Sequence, residues 1–395
     1  MGGPLEGTRV LDFSWVLAGP FTTMILADLG AEVIKVEMPG TGDFTRQYAP
    51  YFGDVSHYFL SINRSKESVT LNLKHERGRE IARALAGQVD VLVENFVPGT
   101  MERFGLGYED LQKANPRLIY ASCSGFGQTG PYVDRPAFDI IVQAMAGTMS
   151  ITGEPGGRPV RAGFSAADLG GAFFTTIGIL AALNERERSG IGQRIDVSMF
   201  DCQVAMLENA FTRYLASGEV PQRLGSRHSV IAPFQAYPAR DGEFVVAAGN
   251  ERQWASFCRA LGLRHLQEDD RFTTVALRVQ NVEALEREVA ARTTTLTVAE
   301  CLDVLSAADV PCAPVQTIDE VVEDPQLRAR EMFVEVEHPR VGPLKVVGSP
   351  IKMSRTRVTK ARPCPDLGEH TADVLGRLLG LGPRELADLH RDGVI

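Results

Sequence analysis

Between residues 8 and 122, short β-branched runs alternate with helix-length segments, and no other feature narrows the fold as much. Residues 8–13 (TRVLDF) read as a buried strand. Pro20 suits the start of a helix that Gly30 ends, and residues 32–37 (EVIKVE) read as the next strand. Strands at 68–73, 89–94 and 117–122 follow, separated by helices at 76–86, near 100–104 and near 109–114. Strands spaced by helices pair in parallel through right-handed crossovers, so the expected fold class is α/β with a doubly wound parallel sheet. Ligands of such sheets bind beyond the carboxyl ends of the strands. Interest therefore falls on residues 12–20, 37–46, 73–75, 95–99 and 124–131.

Further along, a helix is expected over 136–147, then a turn-rich stretch at 153–157. Asp168 precedes a run to Leu183 that has no polar face, which predicts a helix from Leu169 to about Arg188, buried on all sides. A strand at 194–198 and a helix over 199–216 complete this part. A chain of 395 residues exceeds one ordinary core, and the polar connection at 218–229 marks a boundary. The expected division is a large domain over 1–217, a smaller α+β domain over 218–330, and a C-terminal segment, 331–395, returning to the first.

With 44% hydrophobic and 23% charged residues the composition is that of a soluble globular protein, and the net charge of -9 argues against a nucleic-acid partner or a membrane surface. The six cysteines show no CxxC spacing and the seven histidines no HExxH, so neither a metal centre nor a disulfide framework is expected. The N-terminus lacks the pattern of a signal peptide, and no apolar run reaches about 18 residues uninterrupted, so no membrane-spanning helix is expected. A cytoplasmic location fits these features.

The first strand–turn–helix unit, with Glu37 closing the second strand, imitates a dinucleotide-binding motif. However, the turn Asp12–Pro20 carries one glycine where GxGxxG needs three, and Pro20 blocks close approach of a pyrophosphate. Asp168 itself admits two readings. It can cap the helix that follows, or it can be a carboxylate partly stripped of water at the positive helix end, able to attack an activated acyl group.

The stretches VLDFSWVLAGPF (10–21), DLGAEVIKVE (28–37), GDFTR (42–46), NRSK (63–66), VENFVPG (93–99), GFGQTGP (125–131), GIGQ (190–193) and LGEHT (367–371) resemble the class III CoA-transferase family. This is the group of formyl-CoA transferase and crotonobetainyl-CoA:carnitine CoA-transferase, and the likeness is strongest to its succinyl-CoA:dicarboxylate, glutarate-type members. The resemblance implies a Rossmann-like large domain in an interlocked, ring-like homodimer, with acyl-CoA and small carboxylic acids as substrates and no permanently bound cofactor. It implies Asp168 as the catalytic residue, passing through an aspartyl anhydride and an aspartyl-CoA thioester.

Carried over by position, the resemblance places CoA against Val16, Leu17, Leu71, Asn72, Leu73, Lys74, Asn95, Phe96, Val97, Arg103, Arg135, Phe138 and Asp139. Lys74 and Arg103 suit its phosphates, or are solvated surface charges. Met38 stands where some relatives have Arg. Small residues at Ala166, Ala167, Gly170 and Gly171 either admit a thioester or pack the helix closely. A distal substrate carboxylate needs a cation, for which Arg46 and Arg227 are candidates beside ordinary ion pairing. The family's racemases carry a histidine where this chain has Phe138. That favours transfer over α-proton exchange, with His228 and the loop 225–229 left as further candidates and a non-catalytic CoA-binding protein as the third reading.

Overall fold

The computed structural model describes residues 3–356, 358 and 361–395. Its contacts divide the chain into two compact units. One contains the residues up to Thr148, Arg161–Glu219 and Pro325–Ile395, the other Met149–Val160 and Val220–Asp324.

The first unit is built on six parallel strands: β1 (Arg9–Asp12), β2 (Glu32–Glu37), β3 (Glu67–Thr70), β4 (Val91–Glu94), β5 (Ile119–Ser124) and β6 (Arg194–Ser198), in the spatial order β3-β2-β1-β4-β5-β6. β1 is central, pairing Val10 with Val33 on one side and with Val91 on the other. Successive strands are added towards one edge up to β3 and towards the other edge from β4 on, so the loops leaving the neighbouring β1 and β4 flank a natural crevice.

Both faces are covered, which explains the nearly continuous Val/Ile/Leu runs. Leu11, Ile34, Leu92 and Tyr120 point one way and pack with Ile81 and Leu85 of the helix Glu76–Ala86 and with Val374 and Leu375. Their neighbours Val10, Val33, Val91 and Ile119 point the other way. They meet Leu26 and Ala27 of α1 (Ala18–Asp28) and Ile179 and Ala182 of a long helix, α2 (Ala166–Ser189).

α2 starts three residues before its predicted first residue, so Asp168 lies inside the first turn and not ahead of it. Its glycines fit the packing reading. A Cβ at Gly170 would meet the Met206 sulfur at 2.8 Å, and one at Gly171 the Cys123 sulfur at 3.0 Å. One expectation about this helix fails. It is not buried all round, since Phe173, Phe174 and Ile177 are 47%, 40% and 60% exposed in the single chain. It is also apolar enough over an 18-residue window to cross a membrane by length and composition, with mean hydropathy 1.6, although half of that window is buried inside the protein. The Thr and Gly residues within the run do not lower its hydropathy enough to break it.

The second unit is a three-stranded antiparallel sheet, with Glu243–Ala247 between Phe234–Pro238 and Cys312–Pro314, covered by helices that include Glu251–Ala260 and Val282–Thr293. Tyr237, Phe244, Phe257, Phe272 and Leu285 fill its core. The segment Met149–Val160 belongs here, whereas a division at residue 218 leaves it with the large domain. The Gly225 amide donates to the Gly153 carbonyl at 2.9 Å, tying the two connections together.

Candidate active site

Asp168 occupies the third position of α2, after the segment that Gln143 holds in place. The Gln143 side chain accepts from the Ala162 amide at 2.9 Å and donates to Asp139 Oδ2 at 2.7 Å. Asp139, the first residue of the helix Asp139–Met145, does the capping expected of Asp168. Its Oδ1 accepts the Ala167 amide at 2.9 Å. Arg161 Nη2 approaches its other oxygen at 3.7 Å. Asp168 is thereby released from the helix end, and among the described residues no group donates a hydrogen bond to its carboxylate. Burial, with the Asp139 carboxylate beside it, pushes Asp168 up to about 7. A carboxylate that basic, unshielded by donors and still ionised in part at neutral pH, is equipped to attack an acyl carbon.

Tyr58 is a residue that sequence reasoning missed. It stands in the helix His57–Asn63, capped by the Ser56 hydroxyl, and burial together with the Asp168 carboxylate pushes its phenol up to about 12. It therefore stays a neutral hydroxyl near the carboxylate. No spacing in the sequence links it to Asp168, because the link is made by the fold alone.

The loop leaving β1 approaches from the other side. Ala18, at the start of α1, packs in one cluster with Ala167, and the Thr22 hydroxyl reaches the Ala172 carbonyl at 3.2 Å. Asn95, at the end of β4, spends its side-chain amide on this loop, accepting from the Trp15 amide and donating to the Trp15 carbonyl, both at 2.8 Å. Phe96 stacks edge-on against Trp15, and Val16 has φ 66°, a left-handed conformation that is strained for a β-branched residue. Beneath lies a buried ionic layer. Lys35 Nζ pairs with Asp43 at 3.0 Å and Lys66 Nζ with Asp12 at 3.1 Å, all four side chains wholly out of solvent.

The remaining candidates separate into those facing solvent and those engaged elsewhere. Lys74, Arg103 and Arg135 are exposed and, among the described residues, have no acidic partner; they follow β3, β4 and β5 at the carboxyl edge of the sheet. Val97 and Phe138 are open to solvent, and Leu17, Leu73 and Phe96 are partly or wholly covered. Leu71 is buried in the core. Asn72 is tied to the C-terminus, its amide donating to the Val394 carbonyl at 2.8 Å and its side chain to the Gly393 carbonyl at 3.1 Å.

Arg46 is committed as well. Its guanidinium forms a two-pronged pair with Glu37, at 2.8 and 2.7 Å, and lies over the Phe59 ring. In the second unit Arg227 is paired with Glu286, and the His228 ring accepts the Val230 amide at 3.3 Å while resting on Phe234. Of the two cations considered for a distal carboxylate, each thus already holds a carboxylate of the protein.

Residues 5–371 match the profile of CoA-transferase family III. The chain belongs to that family. It is, accordingly, a CoA-transferase. It is 42% identical to the succinyl-CoA:glutarate CoA-transferase of Mus musculus over 99% of this chain and 90% of that one. It is 45% identical to the acetyl-CoA:oxalate CoA-transferase of Acetobacter aceti, covering 94% of each. Among solved structures, a CAIB/BAIF family protein from Brucella suis superposes with TM-score 0.86 at 39% identity, over 96% of this chain and all of that one (100%).

Proposed function

We propose that this enzyme transfers CoA between carboxylic acids, at least one of them a dicarboxylate, with Asp168 as the nucleophile. The observation that carries this reading is the isolation of the Asp168 carboxylate. It is raised to about 7 and, among the described residues, accepts no hydrogen bond, while Asp139 does the structural work at the helix end. Asp168 attacks the thioester carbonyl of the donor and CoA leaves as thiolate, giving an acyl-aspartyl anhydride. The thiolate adds to the aspartyl carbonyl, expelling the donor acid and leaving an aspartyl-CoA thioester. The acceptor carboxylate then attacks that thioester, and the two steps run in reverse. Every step exchanges one acyl bond for another of similar energy, so the task of the protein is placement and exclusion of water.

Lys74, Arg103 and Arg135, exposed at the carboxyl edge of the sheet with no acidic partner among the described residues, are the groups we assign to the phosphates of CoA, with Val16, Leu17, Phe96 and Val97 along its pantetheine arm. Curated relatives named for succinate, glutarate, mesaconate and oxalate support small diacids as the acyl partners. The exposed Phe173, Phe174 and Ile177 of α2, and the exposed Phe138 and Phe164, are apolar groups that a second copy of the chain would cover, in line with an interlocked homodimer of a cytoplasmic protein. The test is chemical. On incubation with succinyl-CoA followed by hydroxylamine, mass spectrometry should find the hydroxamate on Asp168. Modification at any other residue, or none, removes the covalent mechanism.

A further inference from the structure

The loop between β1 and α1 is restrained to an unusual degree. Five consecutive polar main-chain groups are each held by a side chain: the Ser14 amide by Asp12, the Ser14 carbonyl by Lys35, both Trp15 groups by Asn95, and the Val16 amide by Asp43. Asp43 is itself fixed by Lys35 and by the Thr45 amide at 2.9 Å. Three residues on from Val16, Gly19 leaves no space, since a Cβ there would sit 2.2 Å from that of Ser14. All of this maintains Val16 at φ 66°, where an ordinary turn would use glycine. A β-branched residue persists in that region only when its surroundings over-determine it, and such positions cluster at working sites. What the turn delivers is Leu17 and Ala18, and Ala18 packs against Ala167, next to the candidate nucleophile.

We propose that Asn95 and Asp43 are positioning residues for CoA transfer, holding Val16 in its left-handed conformation so that the 16–18 turn is set beside Asp168 before substrate binds. The inference rests on the reading of Asp168 as nucleophile. It also reassigns Asn95, whose side chain serves the loop and not the CoA molecule. Misplacement by about an ångström is worth up to about a hundredfold in rate, so Asn95→Ala should lower kcat at least about tenfold while KM for succinyl-CoA moves far less.

The decisive measurement is rescue. Glycine adopts positive φ without help, so Val16→Gly placed in the Asn95→Ala background should recover most of the lost kcat. A double variant no faster than Asn95→Ala, or an Asn95→Ala enzyme with wild-type kcat, overturns the proposal. A readout independent of activity accompanies it. Val16→Gly relieves strain only where the clamp enforces it, so it should raise Tm more in the wild-type chain than in Asn95→Ala; equal shifts sink the clamp. If Asn95→Ala does not fold, Asn95→Asp, which keeps the acceptor for Trp15 and loses the donor, takes its place in both comparisons. A wild-type chain with no CoA exchange at all would instead remove the Asp168 reading and, with it, the catalytic purpose of the clamp.

Discussion

Asp12 and Asp168 are two carboxylates withdrawn from water, one wholly and one in part, at opposite extremes of solvation by protein. Asp12, at the end of β1, is wholly buried, yet Lys66 at 3.1 Å, Thr23 at 2.6 Å and the amide and hydroxyl of Ser14 surround it. Burial alone would raise it; Lys66 and Lys35 overcome that and bring it down to about 2. Asp168, less deeply set, has no donor among the described residues and goes the other way, up to about 7. A carboxylate surrounded by donors is inert scaffolding; one deprived of them is a reagent. The same protein makes both, through what it aims at each oxygen.

The largest effect that tests this contrast is on turnover. Asp168→Asn should cost at least about a thousandfold in kcat, since removing the nucleophile of a covalent enzyme costs about that much or more. The same substitution should leave the protein more stable, not less. The native carboxyl is raised above its unfolded value of 3.8, so its ionisation withdraws stability progressively as pH climbs from about 4 to about 7. The Tm gain of Asp168→Asn should therefore be greater at pH 8 than at pH 5; a Tm below wild type at pH 8 would break the contrast at its centre.

At Asp12 the expected signature is reversed. Asp12→Ala strands Lys66 in the interior and should cost about 3–5 kcal/mol in urea unfolding. Being depressed, Asp12 contributes stability above its unfolded value that is lost as pH falls from about 4 towards about 2. The smallest effect sharpens the role of Asp139. Exchange should decline below about pH 7 as Asp168 takes up a proton, and Asp139→Asn, which keeps the capping oxygen but removes the charge, should move that decline to lower pH. A pH profile of kcat/KM that is unchanged by Asp139→Asn would leave burial as the sole cause.

The framework of the large unit was legible because its strands are short Val/Ile/Leu runs closed by Gly or by charged residues, a local signal. The predicted strand 32–37 is Glu32–Glu37 in the structure. The start of α2 was misread for an equally physical reason. Ala166 and Ala167 carry no start signal, and Asp168 resembles a cap, whereas the oxygen that does the capping belongs to Asp139 in another helix. Whether Arg46 and Arg227 were free or ion-paired stayed open in the sequence because their acids, Glu37 and Glu286, meet them only through the fold. The strained turn was invisible for a subtler cause. Valine advertises extended structure, and only a set of side chains drawn from β1, β2, β4 and the 43–47 turn forces it to do otherwise.

One consequence of α2 being greasy enough for a lipid bilayer concerns how the chain is made. As it leaves the ribosome, the helix has most of its shelter waiting: β1 to β5 and α1 all lie earlier in the sequence, and only β6 and the helix Met199–Met206 come later. Synthesis in this direction shortens the interval in which a sticky segment is uncovered. A circular permutation that moved 161–190 to the N-terminus would keep every native contact yet expose that segment first, and the yield of soluble protein would measure how much birth order matters.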